Sequence, residues 1–92
     1  MSGYFDEFIG KNVNVVWSRN QTMIGKSGLV IDETKNTIKI ANGRKISVIP
    51  KHIAKFKFED QDSIIEGNLI TMTPEDRIKN YNRIERKIKR LN

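Results

Sequence analysis

Two adjacent carboxylates, Asp32 and Glu33, are the residues whose types first suggest chemistry in this chain. They lie in GLVIDETKNTIKI, residues 28–40, where a polar segment separates two apolar runs. Paired carboxylates can activate a water molecule when both reach the same point, but neighbouring residues of a strand point to opposite faces of the sheet. We therefore interpret the segment as a hairpin turn shaped by Thr34 and Asn36, because asparagine tolerates the left-handed backbone that such a turn needs. Asp32 and Glu33 are then solvated or lysine-paired strand ends.

The string IGKSG, residues 24–28, contains the Gly-Lys-Ser of a phosphate-binding loop. The full motif requires a first glycine five positions before Gly25, where this chain has Asn20. It also requires a helix after the serine, where GLVI reads as a strand. The match fails on both counts, and Gly25 and Gly28 are better explained as permissive positions in a strongly bent strand.

Few other residues could support catalysis or bind a metal ion. The chain has no cysteine and one histidine, which excludes disulfides, thiolate zinc sites and multi-histidine metal sites. His52 has no serine, cysteine or carboxylate companion at a recognisable spacing. We predict no catalytic residue and no metal or other cofactor bound by the protein itself.

The charge of the chain points to a polyanion as its partner. Seventeen Lys and Arg against eleven Asp and Glu give a net charge of +6. From Thr34 to Phe58 there are seven basic residues and no acidic one, and from Pro74 to Asn92 seven basic residues oppose three acidic ones. Such a balance is expected of a protein that contacts nucleic acid.

Length and hydropathy predict one small domain that is not exported. A chain of 92 residues has room for a single core. No apolar stretch approaches the roughly 20 residues that span a bilayer, and the N-terminus carries acids where a signal peptide carries positive charge. We expect a cytoplasmic protein with no membrane contact.

Residues 11–72 have the pattern of short antiparallel strands. NVNVVW, residues 12–17, alternates apolar and polar positions, and Asn42-Gly43 is a strong signal for a two-residue hairpin. In IAKFKF the phenylalanines Phe56 and Phe58 alternate with lysines, a pattern that fits either a base-stacking platform or a core face, and we favour the core. Five to seven such strands predict a mainly β fold, a small barrel whose closure removes exposed edges.

The two ends of the chain are predicted to be helical. In residues 1–10, apolar side chains recur at the spacing of one helical turn before Gly10, which indicates a short helical segment. In residues 73–92, Thr73 is a helix cap, Pro74 takes the first helical position and the outer half is basic. The apolar stripe of this helix consists of Ile78, Tyr81, Ile84, Ile88 and Leu91. This stripe could pack on the barrel, dock on another protein, or fray until RNA arrives.

Several strings together resemble the Sm-like protein subunit of archaeal and eukaryotic ribonuclease P. The resemblance runs through DEFIGKNVNVV, MIGKSGLVIDETKNTIKI, VIPKHIAKFKF and GNLITMTPEDRIK, and so covers nearly the whole chain. Its most specific part is G-x-S-G-x-V-x-D-E-T-x-N-T, and P-E-D-R is the next.

The resemblance implies an Sm-like antiparallel barrel that binds the catalytic RNA which removes the 5′ leader of precursor tRNA. It implies that catalysis belongs to the RNA and its magnesium ions, and that contact with precursor tRNA is indirect. It also implies a protein partner, a small zinc-ribbon subunit that docks on the N-terminal region and the C-terminal helix. The protein is then a monomer or a heterodimer rather than a ring.

We predict electrostatic recognition of RNA shape, because no base-reading motif is visible. The predicted RNA contacts are Lys26, Arg44, Lys45, Lys51, Lys55, Arg77 and Lys79. The predicted partner-facing residues are Tyr4, Phe8, Ile9, Ile84, Ile88 and Leu91. Two alternatives stay open from the residues, an Sm-type ring that binds single-stranded RNA and a barrel that serves chiefly as a protein-interaction hub.

Overall fold

The computed structural model describes residues 7–79, and most of its regular structure is β-strand. The strands are β1 (Asn12–Ser18), β2 (Ser27–Glu33), β3 (Thr37–Asn42), β4 (Lys45–Pro50), β5 (Ala54–Phe58) and β6 (Ile64–Glu66). Short 3₁₀ turns lie at Gln21–Met23, Lys51–Ile53 and Gly67–Leu69, and the helix α1 covers Pro74–Lys79.

The strands form one six-stranded antiparallel sheet in the order β4-β3-β2-β1-β5-β6. The prediction of a mainly β, antiparallel fold is confirmed. The sheet is not closed, however, because β4 and β6 are its two edges and do not pair with each other. The edge strand β6 has only three residues, and the edge strand β4 ends at Pro50, which has no backbone N–H to expose.

One face of the sheet carries the core. Val13 and Val15 on β1, Phe56 and Phe58 on β5, and Ile40 on β3 are all buried, as the alternation of their strands predicts. The prediction that the two phenylalanines belong to the core is confirmed. Lys55 and Lys57, which alternate with them, are half-buried on the other face. Bulges interrupt the register after Val15 and after Val30 and bend the sheet around this core.

The hairpin between β3 and β4 forms where the sequence predicts it. Asn42 pairs with Lys45, so Gly43 and Arg44 make the two-residue connection. Gly43 has φ of +61°, and no non-glycine residue in 7–79 has a positive φ, which is the pattern of a type II′ turn. This turn projects Arg44 and Lys45 from one end of the sheet.

The terminal segments agree with prediction in part. In α1, the Thr73 hydroxyl accepts a hydrogen bond from the backbone N–H of Asp76 at 3.1 Å, so the cap is as predicted. Residues 7–10 form a turn rather than a helix, since the N–H of Lys11 bonds to the carbonyl oxygen of Phe8 at 3.1 Å. Residues 1–6 and 80–92, which hold the rest of both predicted helices, lie outside the described residues.

A tight backbone contact at Gly67 provides a test of this fold. A Cβ placed on the buried Gly67 would overlap the backbone carbonyl oxygens of Lys51 and Ala54. We expect Gly67→Ala to lower the free energy of unfolding by about 2 kcal/mol or more, because backbone atoms cannot yield as a flexible side chain does. Urea unfolding measures this change.

The matched control is Asn68→Ala, which alters the next residue of the same 3₁₀ turn, an exposed one. It should change the free energy of unfolding by no more than about 0.5 kcal/mol. Equal stability of the two variants would contradict the close approach of Gly67 to the carbonyl oxygens of Lys51 and Ala54.

Candidate functional site

A buried ion-pair network joins three distant parts of the chain. The carboxylate of Glu33, at the end of β2, lies 2.8 Å from the ammonium of Lys51 and 3.0 Å from a terminal guanidinium nitrogen of Arg77. The Nε of Arg77 donates a further hydrogen bond to Glu33 Oε2 at 3.3 Å. All three side chains have 0% exposure. One acid therefore pairs with two cations in the interior.

Other contacts complete this network. The ammonium of Lys51 also donates to the backbone carbonyl oxygen of Met72 at 3.0 Å. The guanidinium of Arg77 lies 3.7 Å from the ring centroid of Phe8, and that ring stacks on Phe58 with centroids 4.6 Å apart. Within residues 7–79 no buried side-chain nitrogen or oxygen lacks a hydrogen-bond partner. The network thus ties α1 and the segment before β1 to the sheet.

Burial lowers the pKa of Lys51 from its usual 10.5, since desolvation penalises the charged form. The hydrogen bond and the charge of Glu33 act in the opposite direction, while the nearby Arg77 adds to the lowering. The ammonium is therefore held in the interior by its carboxylate partner.

These positions correct three of the predicted contacts. Lys51 and Arg77 are among the predicted RNA contacts, but with 0% exposure they cannot reach a phosphate. Phe8 is among the predicted partner-facing residues, but it is 1% exposed and belongs to the core. Of the two alternatives predicted for Glu33, solvated or paired with a lysine, the structure shows the lysine pair, and the carboxylate is buried. Asp32 beside it is exposed.

The turn after β2 is built by threonines. The hydroxyls of Thr34 and Thr37 lie 2.7 Å apart, and the Thr34 hydroxyl accepts from the N–H of Thr37 at 3.1 Å. Thr34 thus shapes the turn as predicted. Asn36 does so in another way than predicted, since it has no left-handed backbone and instead offers its carbonyl oxygen to the N–H of Lys51 at 2.8 Å. This bond places Lys51 beside Glu33.

A basic cleft lies at the other end of β2. It has a volume of about 490 Å³ and is lined by Gly25, Lys26, Ser27, Asn42, Arg44, Lys45 and Ser47. The start of β2 and the β3–β4 hairpin form its walls, and the side-chain amide of Asn42 joins them by donating to the carbonyl oxygen of Ser27 at 3.0 Å. Three cations and no carboxylate line it. Phosphate groups fit such a lining.

The cleft brings together three of the predicted RNA contacts, Lys26, Arg44 and Lys45. Besides the two buried ones, the remaining predicted contacts, Lys55 and Lys79, lie outside its lining. Lys55 forms an ion pair with Glu66 at 3.4 Å, and Lys79 pairs with Glu75 at 3.0 Å on the surface of α1. Sequence reasoning missed Ser27, Asn42 and Ser47. The Gly-Lys-Ser string was the signal near Ser27, but only the pairing of β2 with β3 shows that Asn42 is its neighbour.

Partner-facing residues can be placed only in part. Ile9 is 45% exposed, whereas Tyr4, Ile84, Ile88 and Leu91 lie outside the described residues. Sequence reasoning did not single out Ile78 from the apolar stripe of the C-terminal helix. The structure shows it 46% exposed, while the neighbouring Arg77 is buried. The described part of α1 therefore buries an arginine and presents an isoleucine to solvent.

Two further classes of site are absent from the part of the chain that the structure describes. Residues 7–79 contain no group of three or more His, Cys, Asp or Glu side chains that could hold a metal ion. His52 is exposed on a 3₁₀ turn. No helix found in this range has the length and apolar character needed to cross a membrane.

Comparison with known proteins gives the class of this fold. The family model for ribonuclease P/MRP, subunit p29, matches residues 4–80. The solved structure of Mth11, a homologue of human RNase P protein Rpp29, is similar with a TM-score of 0.56 and 35% identity over 79% of this chain and 99% of that one. The chain belongs to the ribonuclease P/MRP subunit p29 family.

Archaeal relatives of similar length are named ribonuclease P protein component 1. The protein from Thermoplasma acidophilum is 49% identical over 87 residues, which is 95% of this chain and 98% of that protein. The protein from Methanosphaera stadtmanae is 45% identical over 76 residues, 79% of this chain and 82% of that one. The resemblance stated from the sequence is confirmed.

The buried carboxylate can be tested by neutralising it. We expect Glu33→Gln to lower the free energy of unfolding by about 3–5 kcal/mol, because it leaves the buried ammonium of Lys51 beside a neutral amide and removes a charged partner from Arg77. Chemical denaturation followed by circular dichroism measures this change. The control is Asp32→Asn, which makes the same substitution at the adjacent exposed carboxylate and should cost no more than about 0.5 kcal/mol. Similar destabilisation of both variants would contradict the role of Glu33.

Proposed function

We propose that this chain binds the RNA component of ribonuclease P and helps to hold it in its active form. The particle would be the one that removes the 5′ leader from precursor tRNA, with the tRNA contacted only indirectly. Family membership supports the particle. The observation that carries the RNA contact is the cleft, where Lys26, Arg44 and Lys45 converge with no carboxylate among them.

The cleft suits a phosphate backbone for physical reasons. Its cations displace counterions from RNA, which supplies most of the binding free energy of such contacts. The guanidinium of Arg44 can hold a phosphate through two parallel hydrogen bonds, while the lysines act as point charges. Ser27, Ser47 and Asn42 add neutral groups that can bond a phosphate or a 2′-hydroxyl. None of this reads a base, so the proposal is recognition of shape.

The proposal gives the chain no catalytic role. Residues 7–79 hold no cluster of acids or histidines able to place a metal ion. The chemistry would belong to the RNA with its own magnesium ions, and the protein would bind no cofactor. We also place the protein in the cytoplasm, as a monomer or a heterodimer.

A protein partner completes the proposal. Ile78 on α1 and Ile9 before β1 are both nearly half exposed, and an exposed apolar side chain on a helix is better satisfied against another protein. We propose that the zinc-ribbon subunit of the particle contacts Ile78 and Ile9. The exposure of Ile78 supports docking of a partner on this side chain, while Arg77 ties α1 itself to the sheet.

Salt dependence tests the RNA contact. We expect Lys26→Ala/Arg44→Ala/Lys45→Ala to weaken binding of ribonuclease P RNA and to reduce the slope of log K against log salt by about 2–3, roughly 0.7–0.9 for each phosphate that is no longer neutralised. Filter binding across a salt series measures both effects.

Lys35→Ala is the control for removal of a lysine. Lys35 lies in the turn two residues after Glu33, and Glu33 is six residues or roughly 20 Å along β2 from Ser27 of the cleft at about 3.3 Å per residue. The substitution should leave the slope unchanged. A triple variant with the wild-type slope would remove the cleft from the RNA interface.

The partner contact predicts a separate effect. Ile78→Ser should weaken the heterodimer with the zinc-ribbon subunit by about 10-fold or more, because it replaces apolar contact area, while leaving RNA binding in place. Sizing and isothermal titration of the two purified proteins measure it. Val48→Ser, on the exposed face of β4, is the control. An unaltered heterodimer, or a six- or seven-membered ring on sizing, would contradict this assignment.

A further inference from the structure

Trp17 on β1 is an exposed aromatic side chain that the proposed function does not use. It retains 47% of its accessible surface, although aromatic rings supply much of the core of a small domain. Val13 and Val15, at the preceding alternate positions of β1, are buried, and a bulge between Val15 and Trp17 shifts the register of the pairing with β5. A bulge re-aims the side chains that follow it. The local backbone therefore directs the ring away from the core.

One lysine lies over this ring, and a second follows on the same outer face of the sheet. Trp17 pairs with Lys55 across β1 and β5, and the Lys55 ammonium lies 5.5 Å from the ring centroid. Lys57 lies on the same face, two residues or about 7 Å further along β5. Glu66 on β6 forms an ion pair with Lys55 at 3.4 Å.

The ring also lies near the basic cleft. Val15 accepts a hydrogen bond from the N–H of Gly25 at 2.8 Å and donates one to the carbonyl oxygen of Lys26 at 2.8 Å. Trp17 is two residues beyond Val15 on the same strand, a distance of about 7 Å. One segment of RNA could therefore contact both the cleft and the ring.

We propose that Trp17 stacks on an unpaired base of the bound RNA, while Lys55 and Lys57 hold the adjoining phosphates. The inference rests on the proposed function and adds single-stranded RNA as the class of ligand at this surface. Aromatic rings beside cations are the usual platform for unpaired bases, since every base has a face that can stack. The two lysines favour a polyanion over an apolar protein surface as the occupant.

Fluorescence gives a direct test, because Trp17 is the one tryptophan of the chain. Titration of the wild-type protein with a twelve-nucleotide oligoadenylate at low salt should quench emission excited at about 295 nm, and ribonuclease P RNA should do the same. A twelve-base-pair RNA duplex, whose bases are already stacked and paired, should bind through its phosphates without comparable quenching.

Variants separate the ring from its position. Trp17→Leu should weaken oligoadenylate binding, measured by anisotropy of labelled RNA, by about 5- to 100-fold, and Trp17→Phe should recover most of the affinity. Ile46→Ala, on the exposed face of β4, should bind as the wild type does. Unchanged circular dichroism of Trp17→Leu is expected, since the side chain is half exposed.

The outcomes distinguish the two levels of the proposal. Ribonuclease P RNA that binds without quenching, and equally well to Trp17→Leu, would overturn the stacking contact and leave the proposed function standing. Failure of the wild type to bind that RNA at all would overturn both. Quenching by a protein subunit of the particle and by no RNA would make the surface a protein-docking site and overturn this inference.

Discussion

The described structure depends on the carboxylate of Glu33, which lies between two cations where no water reaches it. Removing an ion from water costs several kcal/mol, and the Glu33 carboxylate offsets part of this cost for each cation by lying within hydrogen-bond distance of both. Arg77 gains a further contact from the face of the Phe8 ring. The interaction is directional as well as strong, since the guanidinium meets the carboxylate through two of its nitrogens. It therefore holds α1 and the segment before β1 against the sheet.

This constraint reaches the cleft through a single strand. β2 begins at Ser27, in the lining of the basic cleft, and ends at Glu33 in the buried network. Lys51 and Arg77 hold its far end through Glu33, and the Lys51 N–H also bonds to the carbonyl oxygen of Asn36 in the turn that follows. The near end is joined to the β3–β4 hairpin by Asn42. Lys26 thus directly precedes a strand that is anchored at both ends, and Asn42 joins this strand to the hairpin that carries Arg44 and Lys45. Such anchoring limits the conformational entropy that this part of the backbone loses when a ligand binds.

Much of the fold could be predicted because its signals are local. Alternation in β1 and β5 reveals which side chains face the core, since successive residues of a strand point to opposite faces. Asn42-Gly43 predicts its hairpin because glycine accepts a positive φ without strain. Thr73 predicts the start of α1 because its hydroxyl satisfies an otherwise free N–H. The family, too, could be read from short strings of residues, and the comparisons bear it out.

Local residue patterns are enough to predict the strands, the β3–β4 hairpin, the excess of positive charge and the family. Which cations face solvent and which are buried depends on the folded chain. Lys51 and Lys55 have similar surroundings in the sequence, yet Lys51 is buried and the Lys55 side chain is partly exposed. The difference is the Glu33 carboxylate, which is 18 residues from Lys51 and 44 residues from Arg77 and pairs with both. The burial of a charge depends on its partner, and that partner can be known only once the chain has folded. The grouping of Lys26 with Arg44 and Lys45 has the same origin, since the pairing of distant strands makes them neighbours.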